Sequence, residues 1–164
     1  MPGHHVVVIG AGPAGLSAAI AAATSGAASV TVLEQLPRPG MKLLATGGGK
    51  CNLTNVLPPE QFITAFGRQG RFMLPALEGF SSVRLREWLG GLGVKTTVTD
   101  DFHVFPVSER SSEVLQALLR ECERLGVKVK PDTVVTALSI TAGSVSGVIS
   151  ANAAEMAADG IIIA

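Results

Sequence analysis

The sequence has little charge and no long apolar run. Charged residues make up 16% of the 164 residues, and 13 basic residues balance 13 acidic ones, so the formal net charge is zero. A balanced chain has no overall basic field to attract nucleic acid or an anionic membrane. No apolar run reaches the roughly 18 residues that a membrane-spanning helix needs. We therefore expect neither a nucleic-acid partner nor a membrane partner.

Cysteine and histidine are also scarce. Cys51 and Cys122 predict no disulfide framework, and three scattered histidines give no metal-ligand spacing. No Ser/His/Asp arrangement is evident, so the catalytic residues stay unknown and no metal site is expected. The first apolar strand follows no basic segment, which argues against a signal peptide. These features indicate a soluble, cytoplasmic protein.

Hydrophobic residues make up 47% of the chain, which is enough for a core. The chain opens with a strand at His4–Ile9, a glycine turn at Gly10–Gly15, a helix at Leu16–Ser25 and a strand at Ser29–Leu33. This order predicts a βαβ unit. Further helices and strands are predicted downstream. The helices are Pro58–Phe66, Ser81–Leu92 and Ser112–Leu125, and the strands are Val94–Val98, Phe102–Phe105, Val127–Lys130, Val134–Ile140, Val145–Ser150, Ala154–Ala157 and Ile161–Ala164.

The first glycine turn has the pattern of a dinucleotide-binding motif. Gly10, Gly12 and Gly15 form G-x-G-x-x-G between a strand and a helix, where the turn, the pyrophosphate and the helix–sheet contact each need a glycine. The helix N-terminus then holds the phosphates. Glu34 ends the second strand, where an acid bonds ribose hydroxyls and disfavours a 2′-phosphate. Ala11, Pro13, Ala14 and Gln35 are predicted to belong to the same cofactor site.

A second glycine-rich stretch, Ala45–Asn55, reads ATGGGKCNLTN. Consecutive glycines disfavour helix and strand interiors, so they must supply bare backbone, a positive φ or close approach to a ligand. Two interpretations stay open: contact with a cofactor, or a tight surface turn. Cys51 follows Lys50, which could lower the thiol pKa, although a packing role is favoured. His4, His5 and His103 are interpreted as solvated or structural, and Cys122 as part of the core.

The second stretch carries a more specific resemblance. Thr46, Gly47, Gly48, Gly49, Cys51, Asn52, Thr54 and Asn55 match, position by position, the T-G-G-G-R-C-N-x-T-N loop of the BaiN/aminoacetone-oxidase-like family of bacterial NAD(P)/FAD-dependent oxidoreductases. A G-x-K-L-L segment at Gly40–Leu44 and a V-F-P-x-S block at Val104–Ser108 also resemble this family. The resemblance extends through essentially the whole chain.

The resemblance implies a fold, a cofactor and an activity. It implies an α/β, Rossmann-like FAD/NAD(P)-binding domain of the glutathione-reductase type, with a parallel sheet, a helix layer and a small β-meander. It implies FAD, with NAD(P)H or O₂ as the partner in hydride transfer to an unknown small-molecule substrate. The further cofactor-binding residues are Arg38, Lys42, Thr46, Gly47, Gly48, Gly49, Lys50, Cys51, Asn52, Val135 and Ala164.

The predicted domain organisation is interrupted. Residues 1–56 begin the FAD-binding domain, 57–106 form an insertion of helices and a hairpin, and 107–164 continue the domain. Two departures from the family pattern stand out. Lys50 replaces an arginine, and Phe102 and His103 stand where glycine and arginine are usual.

Members of the family are several hundred residues long, so the chain looks like the N-terminal part of such an enzyme. A missing C-terminal half or a second chain is expected to complete the site. Two alternatives remain: a non-catalytic nucleotide-binding fragment or one piece of a split flavoprotein, and a flavin-dependent tRNA-modifying protein. The balanced charge argues against the latter.

Overall fold

The computed structural model describes residues 4–164 and begins with the predicted βαβ unit. Strand β1 spans His5–Ile9, helix α1 spans Pro13–Thr24 and strand β2 spans Ser29–Leu33. The helix begins three residues before the predicted Leu16, because proline fits the first turn, where its missing N–H has no partner to lose. The predicted order strand, turn, helix, strand is confirmed.

The central sheet is parallel and adds two strands to β1 and β2, which are β6 at Lys128–Lys130 and β10 at Gly160–Ile163. Its strand order is β10-β1-β2-β6. Val7 of β1 lies opposite Ile161 of β10 on one side and Thr31 of β2 on the other. The carboxyl ends of β1, β2 and β10 therefore meet at one edge, where parallel α/β sheets bind ligands.

A three-stranded antiparallel meander covers one face of this sheet. Its strands are β7 at Val135–Thr141, β8 at Ser144–Ser150 and β9 at Glu155–Ala157. Val7 and Leu33 of the parallel sheet pack in one cluster with Val148 and Ala158. Successive strand residues alternate between faces, so Val8, which is fully buried, points to the opposite face.

Helix α1 packs on β1 and β2 through a row of small and apolar side chains. Leu16, Ala19 and Ile20 are buried there. Helix, parallel sheet and meander are the layers predicted for a glutathione-reductase-type domain, and the predicted α/β class is confirmed.

The chain divides into two compact units. The first takes in the chain up to Leu43 together with Leu118–Ala164, and the second is Leu44–Ala117. Helix α2 at Met41–Ala45 and the amphipathic helix α6 at Ser111–Arg124 each cross a boundary. The insertion predicted at 57–106 stays a prediction.

The second unit combines short helices with a small antiparallel sheet. The helices are α3 at Pro59–Ala65, α4 at Leu74–Gly79 and α5 at Ser82–Gly91, and the sheet pairs β3 at Thr54–Asn55, β5 at His103–Pro106 and β4 at Thr96–Val98. The predicted β4–β5 hairpin is confirmed. A 3₁₀ segment at Gly67–Met73 and helix α4 were not predicted, because glycines and Pro75 interrupt the apolar spacing there.

Within residues 4–164, no helix has both the length and the apolar character needed to cross a membrane.

Candidate functional site

The first unit contains an open cavity at the carboxyl ends of β1, β2 and β10, of about 390 Å³. We call it the strand-end cavity. Nine residues predicted from the sequence line it: Gly10, Gly12, Pro13, Ala14, Glu34, Gln35, Lys42, Val135 and Ala164. Its size and position are typical of a small-molecule or cofactor site in an α/β fold.

The three motif glycines are needed for different reasons. Gly10 has a φ of +104°, and a Cβ there would lie 2.4 Å from the Ala164 carbonyl oxygen. A Cβ on Gly15 would lie 1.9 Å from the Gly10 carbonyl oxygen. Gly12 has an ordinary φ of −73°, and a Cβ there would meet nothing within 4 Å. Backbone conformation and packing explain Gly10 and Gly15, whereas Gly12 leaves open space beside the cavity.

The N-terminus of α1 opens onto the same cavity. The first backbone hydrogen bond of this helix runs from the Leu16 N–H to the Gly12 carbonyl at 3.0 Å. The N–H groups of Ala14 and Gly15 in the first turn therefore have no partner inside the helix. Among the described residues, no side chain caps this end. Such an end, with its partial positive charge, suits a phosphate or diphosphate.

Glu34 is buried, and backbone hydrogen bonds hold both of its carboxylate oxygens. Oε2 accepts from the Ala11 N–H at 2.7 Å, and Oε1 accepts from the Leu36 N–H at 2.9 Å. A carboxylate oxygen has two lone pairs, so each oxygen keeps capacity for one more donor. A ribose can supply those donors through two neighbouring hydroxyls.

Three predicted residues of the first unit do not line the cavity: Ala11, Gly15 and Arg38. Gly15 packs against the Gly10 carbonyl, as described above. Ala11 is buried, and its carbonyl accepts from the Gly40 N–H at 2.9 Å, which ties the chain after β2 to the first glycine turn. Arg38 is exposed on that chain segment. Ala11 has a supporting position, and the role of Arg38 stays a prediction.

Six residues that line the strand-end cavity were not predicted as site residues from the sequence: Ile9, Leu33, Leu36, Gly40, Met41 and Thr133. Ile9 and Leu33 end the predicted strands, so their position at the strand edge was an available signal. Thr133 precedes β7 by two residues, and its N–H bonds the Glu34 carbonyl at 2.8 Å. This long-range bond and the neighbouring bond from the Asp132 N–H to the Leu36 carbonyl bring Thr133 to the cavity, and nothing in the local sequence indicates them.

The second glycine stretch forms a tight turn in the second unit. We call Thr46–Asn52 the glycine loop. Its three glycines have φ values of 60°, 63° and 91° at Gly47, Gly48 and Gly49. The Lys50 N–H bonds the Gly47 carbonyl at 3.1 Å, which closes a turn with two left-handed central residues. Positive φ therefore accounts for all three glycines.

The predicted influence of Lys50 on Cys51 is wrong. Burial raises the pKa of the Cys51 thiol from 9.0 to about 11, because the thiolate loses its hydration. The Lys50 ammonium lies 2.9 Å from the Glu109 carboxylate instead. Cys51 is 1% exposed and has a φ of 66°. The favoured packing role is consistent with this burial.

The remaining residues of the loop lie at its surface. Gly47, Gly48 and Asn52 are exposed, and Thr46 and Gly49 are half-buried. Thr46 accepts a hydrogen bond from the Cys51 N–H at 2.9 Å through its carbonyl oxygen. The predicted contact between this loop and a cofactor stays a prediction.

The other candidates have structural positions. Cys122 is buried, as predicted, and burial raises the pKa of its thiol to about 11. His5 is not simply solvated, since its ring nitrogens lie 2.8 Å from the Ala157 carbonyl oxygen and 3.1 Å from Thr31 Oγ1. His103 lies 2.8 Å from the Asp101 carboxylate.

Phe102 has a φ of 67°, which is the left-handed conformation that the usual glycine of the family favours. Across residues 4–164, no three His, Cys, Asp or Glu side chains gather as metal ligands would.

Residues 4–164 match the family described as HI0933-like protein Rossmann domain. The chain is 35% identical over 162 residues to the 3-dehydro-bile acid delta(4,6)-reductase of Clostridium scindens, covering 98% of this chain and 38% of that relative. It is 29% identical to the ribosomal RNA dihydrouridine synthase of Haemophilus influenzae, over 75% of this chain and 30% of the relative.

Solved structures show the same fold. The 3-ketosteroid-delta4-(5alpha)-dehydrogenase of Rhodococcus jostii RHA1 superposes with a TM-score of 0.72 at 22% identity, over 98% of this chain and 45% of that one. A flavocytochrome c3 fumarate reductase gives a TM-score of 0.75 at 22% identity, over 98% of this chain and 33% of that one. The predicted Rossmann-like fold is confirmed.

Proposed function

The chain belongs to the HI0933-like Rossmann-domain family, and on that premise we propose that it is the FAD-binding part of an oxidoreductase. The resemblance to the BaiN-like flavoproteins is confirmed by the family match and by the 35% identical reductase. The chain spans about two fifths of that relative's length, at 38%. FAD is the cofactor that the family implies.

One observation carries the proposal, which is the open space beside Gly12. Neither φ nor packing within the chain requires a glycine there, yet the position borders the strand-end cavity. A pyrophosphate that passes over that backbone would require a residue without a side chain at this position. The uncapped first turn of α1 lies at the same place and presents N–H groups toward the phosphates.

The ribose fits at Glu34. The two backbone hydrogen bonds on its carboxylate fix the orientation of the oxygens before any ligand arrives. A fixed carboxylate binds hydroxyls with a smaller entropic loss, and its charge repels a 2′-phosphate. Val135 and Thr133 at the start of the meander also line the cavity, and we propose that the adenine lies beside them. The chain's own residues thus fit the ADP half of FAD.

Bound FAD supplies hydride exchange at its flavin ring, with NAD(P)H or O₂ as the proposed partner. The part of this chain in the reaction is to bind and orient the nucleotide end. The glycine loop is proposed, from the family pattern, to contact the flavin part through its exposed backbone. No residue of the chain is proposed as the catalytic acid or base.

The nucleotide assignment is tested by competition between FAD, FMN and ADP. Because the proposed contacts are with the ADP half, FAD should bind and ADP should displace it, whereas FMN should bind at least tenfold more weakly than FAD. Glu34→Gln should weaken FAD and ADP together. Equal affinity for FAD and FMN would contradict the proposal.

RNA modification is a second candidate, which the 29% identical ribosomal RNA dihydrouridine synthase favours. A dihydrouridine assay on ribosomal RNA with the full-length protein that contains this chain separates the two candidates. For the first candidate, we propose apolar ketones as the substrates to assay first, because the 35% identical relative is named for a dehydro-bile-acid substrate.

A further inference from the structure

Strand β7 lies at one edge of the meander, and its outer side has no neighbouring strand among residues 4–164. The meander has the strand order β7-β8-β9, so β7 pairs with β8 on one side only. With seven residues, β7 is the longest edge strand of the described part of the chain. An unpaired edge presents a row of backbone N–H and C=O groups to any strand that approaches it.

This edge lacks the features that usually protect a free strand. Charged side chains, above all lysine, or a proline normally prevent an exposed edge from pairing. Residues 134–154, which include all of β7 and β8, contain no charged residue, and β7 contains no proline. By contrast, the edge strand β6 contains Lys128 and Lys130, and the edge strand β9 contains Glu155. The free side of β7 is therefore open to pairing.

The second half of β7 is also regular enough to pair. The register between β7 and β8 shifts twice, because Thr136 is an extra residue on β7 and Ser146 is an extra residue on β8. A bulge bends the strand that contains the extra residue, and the stretch Ala137–Thr141 contains none. We call the free side of Ala137–Thr141 the β7 edge.

The backbone of Leu138 and Ile140 is directed at the β7 edge. The Ser139 carbonyl points toward β8, because it accepts a hydrogen bond from Ser146 Oγ at 3.3 Å. Backbone groups alternate in direction along an antiparallel strand, so the N–H and C=O groups of Leu138 and Ile140 point away from β8. Their apolar side chains are 38% and 59% exposed. The β7 edge therefore offers both hydrogen bonds and apolar contacts.

We propose that the β7 edge pairs with the same edge of a second copy of this chain. In an antiparallel pair with its two-fold axis at Ser139, Leu138 of each copy lies opposite Ile140 of the other. These residues then exchange backbone hydrogen bonds and pack their side chains together. The two three-stranded meanders join into one continuous sheet of a common size.

A second copy is the partner that the residues of the β7 edge favour. A two-fold axis brings the same few residues of both copies together, so a charge near Ser139 would lie close to an identical charge and oppose the pairing. The absence of charge from residues 134–154 removes that repulsion. Leu138 and Ile140 lie at equal distances from Ser139 in the sequence, so each apolar side chain meets another one. The proposal does not depend on the cofactor.

The first test is analytical ultracentrifugation of the purified 164-residue chain over a wide range of protein concentration. The chain should form a dimer, and Ile140→Lys should raise the dimer dissociation constant at least about tenfold, because an ammonium then faces Leu138 of the other copy. Val145→Lys is the matched control, since Val145 lies opposite Ile140 on β8, is 42% exposed and lies one strand away from the edge. It should leave the dissociation constant nearly unchanged.

A mixing experiment tests the proposed register. Leu138→Glu alone should also weaken the dimer. An equimolar mixture of the Leu138→Glu and Ile140→Lys chains should regain it as a mixed dimer, because the new carboxylate of one chain lies opposite the new ammonium of the other. Thermal unfolding of each variant verifies that it is folded.

Hydrogen–deuterium exchange of the unsubstituted chain locates the contact without any substitution. The amides of Leu138 and Ile140 should exchange more slowly at high protein concentration than at low concentration, whereas the amides of β10 should not change. Ile163→Lys examines the edge of β10, which also contains no charged residue, and should leave the dimer intact.

Four results would overturn the proposal. They are a folded chain that stays monomeric at every concentration, equal weakening by Ile140→Lys and Val145→Lys, a dimer that only Ile163→Lys disrupts, and association that continues beyond two copies, since a two-fold contact closes at a dimer. The full-length protein that contains this chain gives one further decision. If it is monomeric while the amides of Leu138 and Ile140 are protected, another segment of the same polypeptide covers the β7 edge and the proposal is wrong.

Discussion

Gly12 has a φ of −73°, a conformation open to any residue, and an added Cβ there would meet no atom within 4 Å. Gly15 differs, because its Cβ would lie 1.9 Å from the Gly10 carbonyl oxygen. The same short motif thus contains one glycine that the fold requires and one that it does not. Substitutions at Gly12 and Gly15 therefore distinguish a glycine needed for ligand binding from a glycine needed for folding.

Gly12→Ala should change the free energy of unfolding by no more than about 0.5 kcal/mol. It should reduce FAD affinity at least tenfold, because the new methyl group occupies the space proposed for the phosphates. Gly15→Ala should destabilise the fold by about 1–3 kcal/mol, since backbone must move to admit the Cβ. Thermal unfolding and FAD titration measure both effects. Unchanged FAD binding in folded Gly12→Ala would contradict the assignment.

The two buried thiols should make stability fall at alkaline pH. Burial raises the pKa of both Cys51 and Cys122 from 9.0 to about 11, so the folded state holds the neutral thiol to higher pH than the unfolded state does. Their stabilising contribution is complete below pH 9 and is lost as the pH rises through about 11. Each thiol contributes at most about 2–3 kcal/mol.

Urea unfolding at pH 7, 9 and 10.5 checks this dependence. The control is the double variant Cys51→Ala with Cys122→Ala, which keeps every other titrating group. Its free energy of unfolding should decline less between pH 9 and 10.5 than that of the unsubstituted chain. If both proteins lost the same free energy of unfolding between pH 9 and 10.5, burial would not raise the pKa of either thiol in the folded state.

At the level of elements, the sequence was most informative where apolar spacing is regular. The helix at Ser111–Arg124 and the hairpin of β7 and β8 lie within one or two residues of their predicted positions. The region 67–80 was missed because glycines and Pro75 interrupt its apolar spacing, and because the 3₁₀ segment is positioned by a close contact between Gly70 and Ile63. The local spacing of apolar residues does not indicate such a contact.

The glycine loop is a second example of a feature that the sequence left undetermined. Its sequence allowed bare backbone, positive φ or close approach to a ligand, and the structure shows that all three glycines have a positive φ. For the strand-end cavity, the motif residues and Glu34 were predictable, because their spacing follows the strand–turn–helix geometry. Thr133 was not, since a backbone bond to Glu34, 99 positions away, brings it there.

Gly48→Ala should destabilise the second unit by about 1 kcal/mol, because a left-handed alanine is strained by that amount and the site has no steric clash to add. Gly48→Asn should recover part of the loss, since asparagine tolerates the left-handed region. Differential scanning calorimetry compares the two variants. Equal stability of alanine, asparagine and glycine at this position would contradict the turn geometry.

For the molecule as a whole, the nucleotide contacts proposed above all come from the first unit, which contains the cavity, the α1 N-terminus and Glu34. The chain covers 38% of the reductase it matches, so substrate turnover is a question for the full-length protein. Binding of the ADP half is a question for this chain alone.

The most direct test is the visible absorption spectrum of the purified 164-residue chain, followed by identification of any cofactor released on heating. The proposal predicts the two flavin bands, or their appearance after added FAD, with FAD and not FMN released. Gly12→Ala should lose those bands while remaining folded. A folded, colourless chain that takes up no added FAD would contradict the assignment of the strand-end cavity to this cofactor.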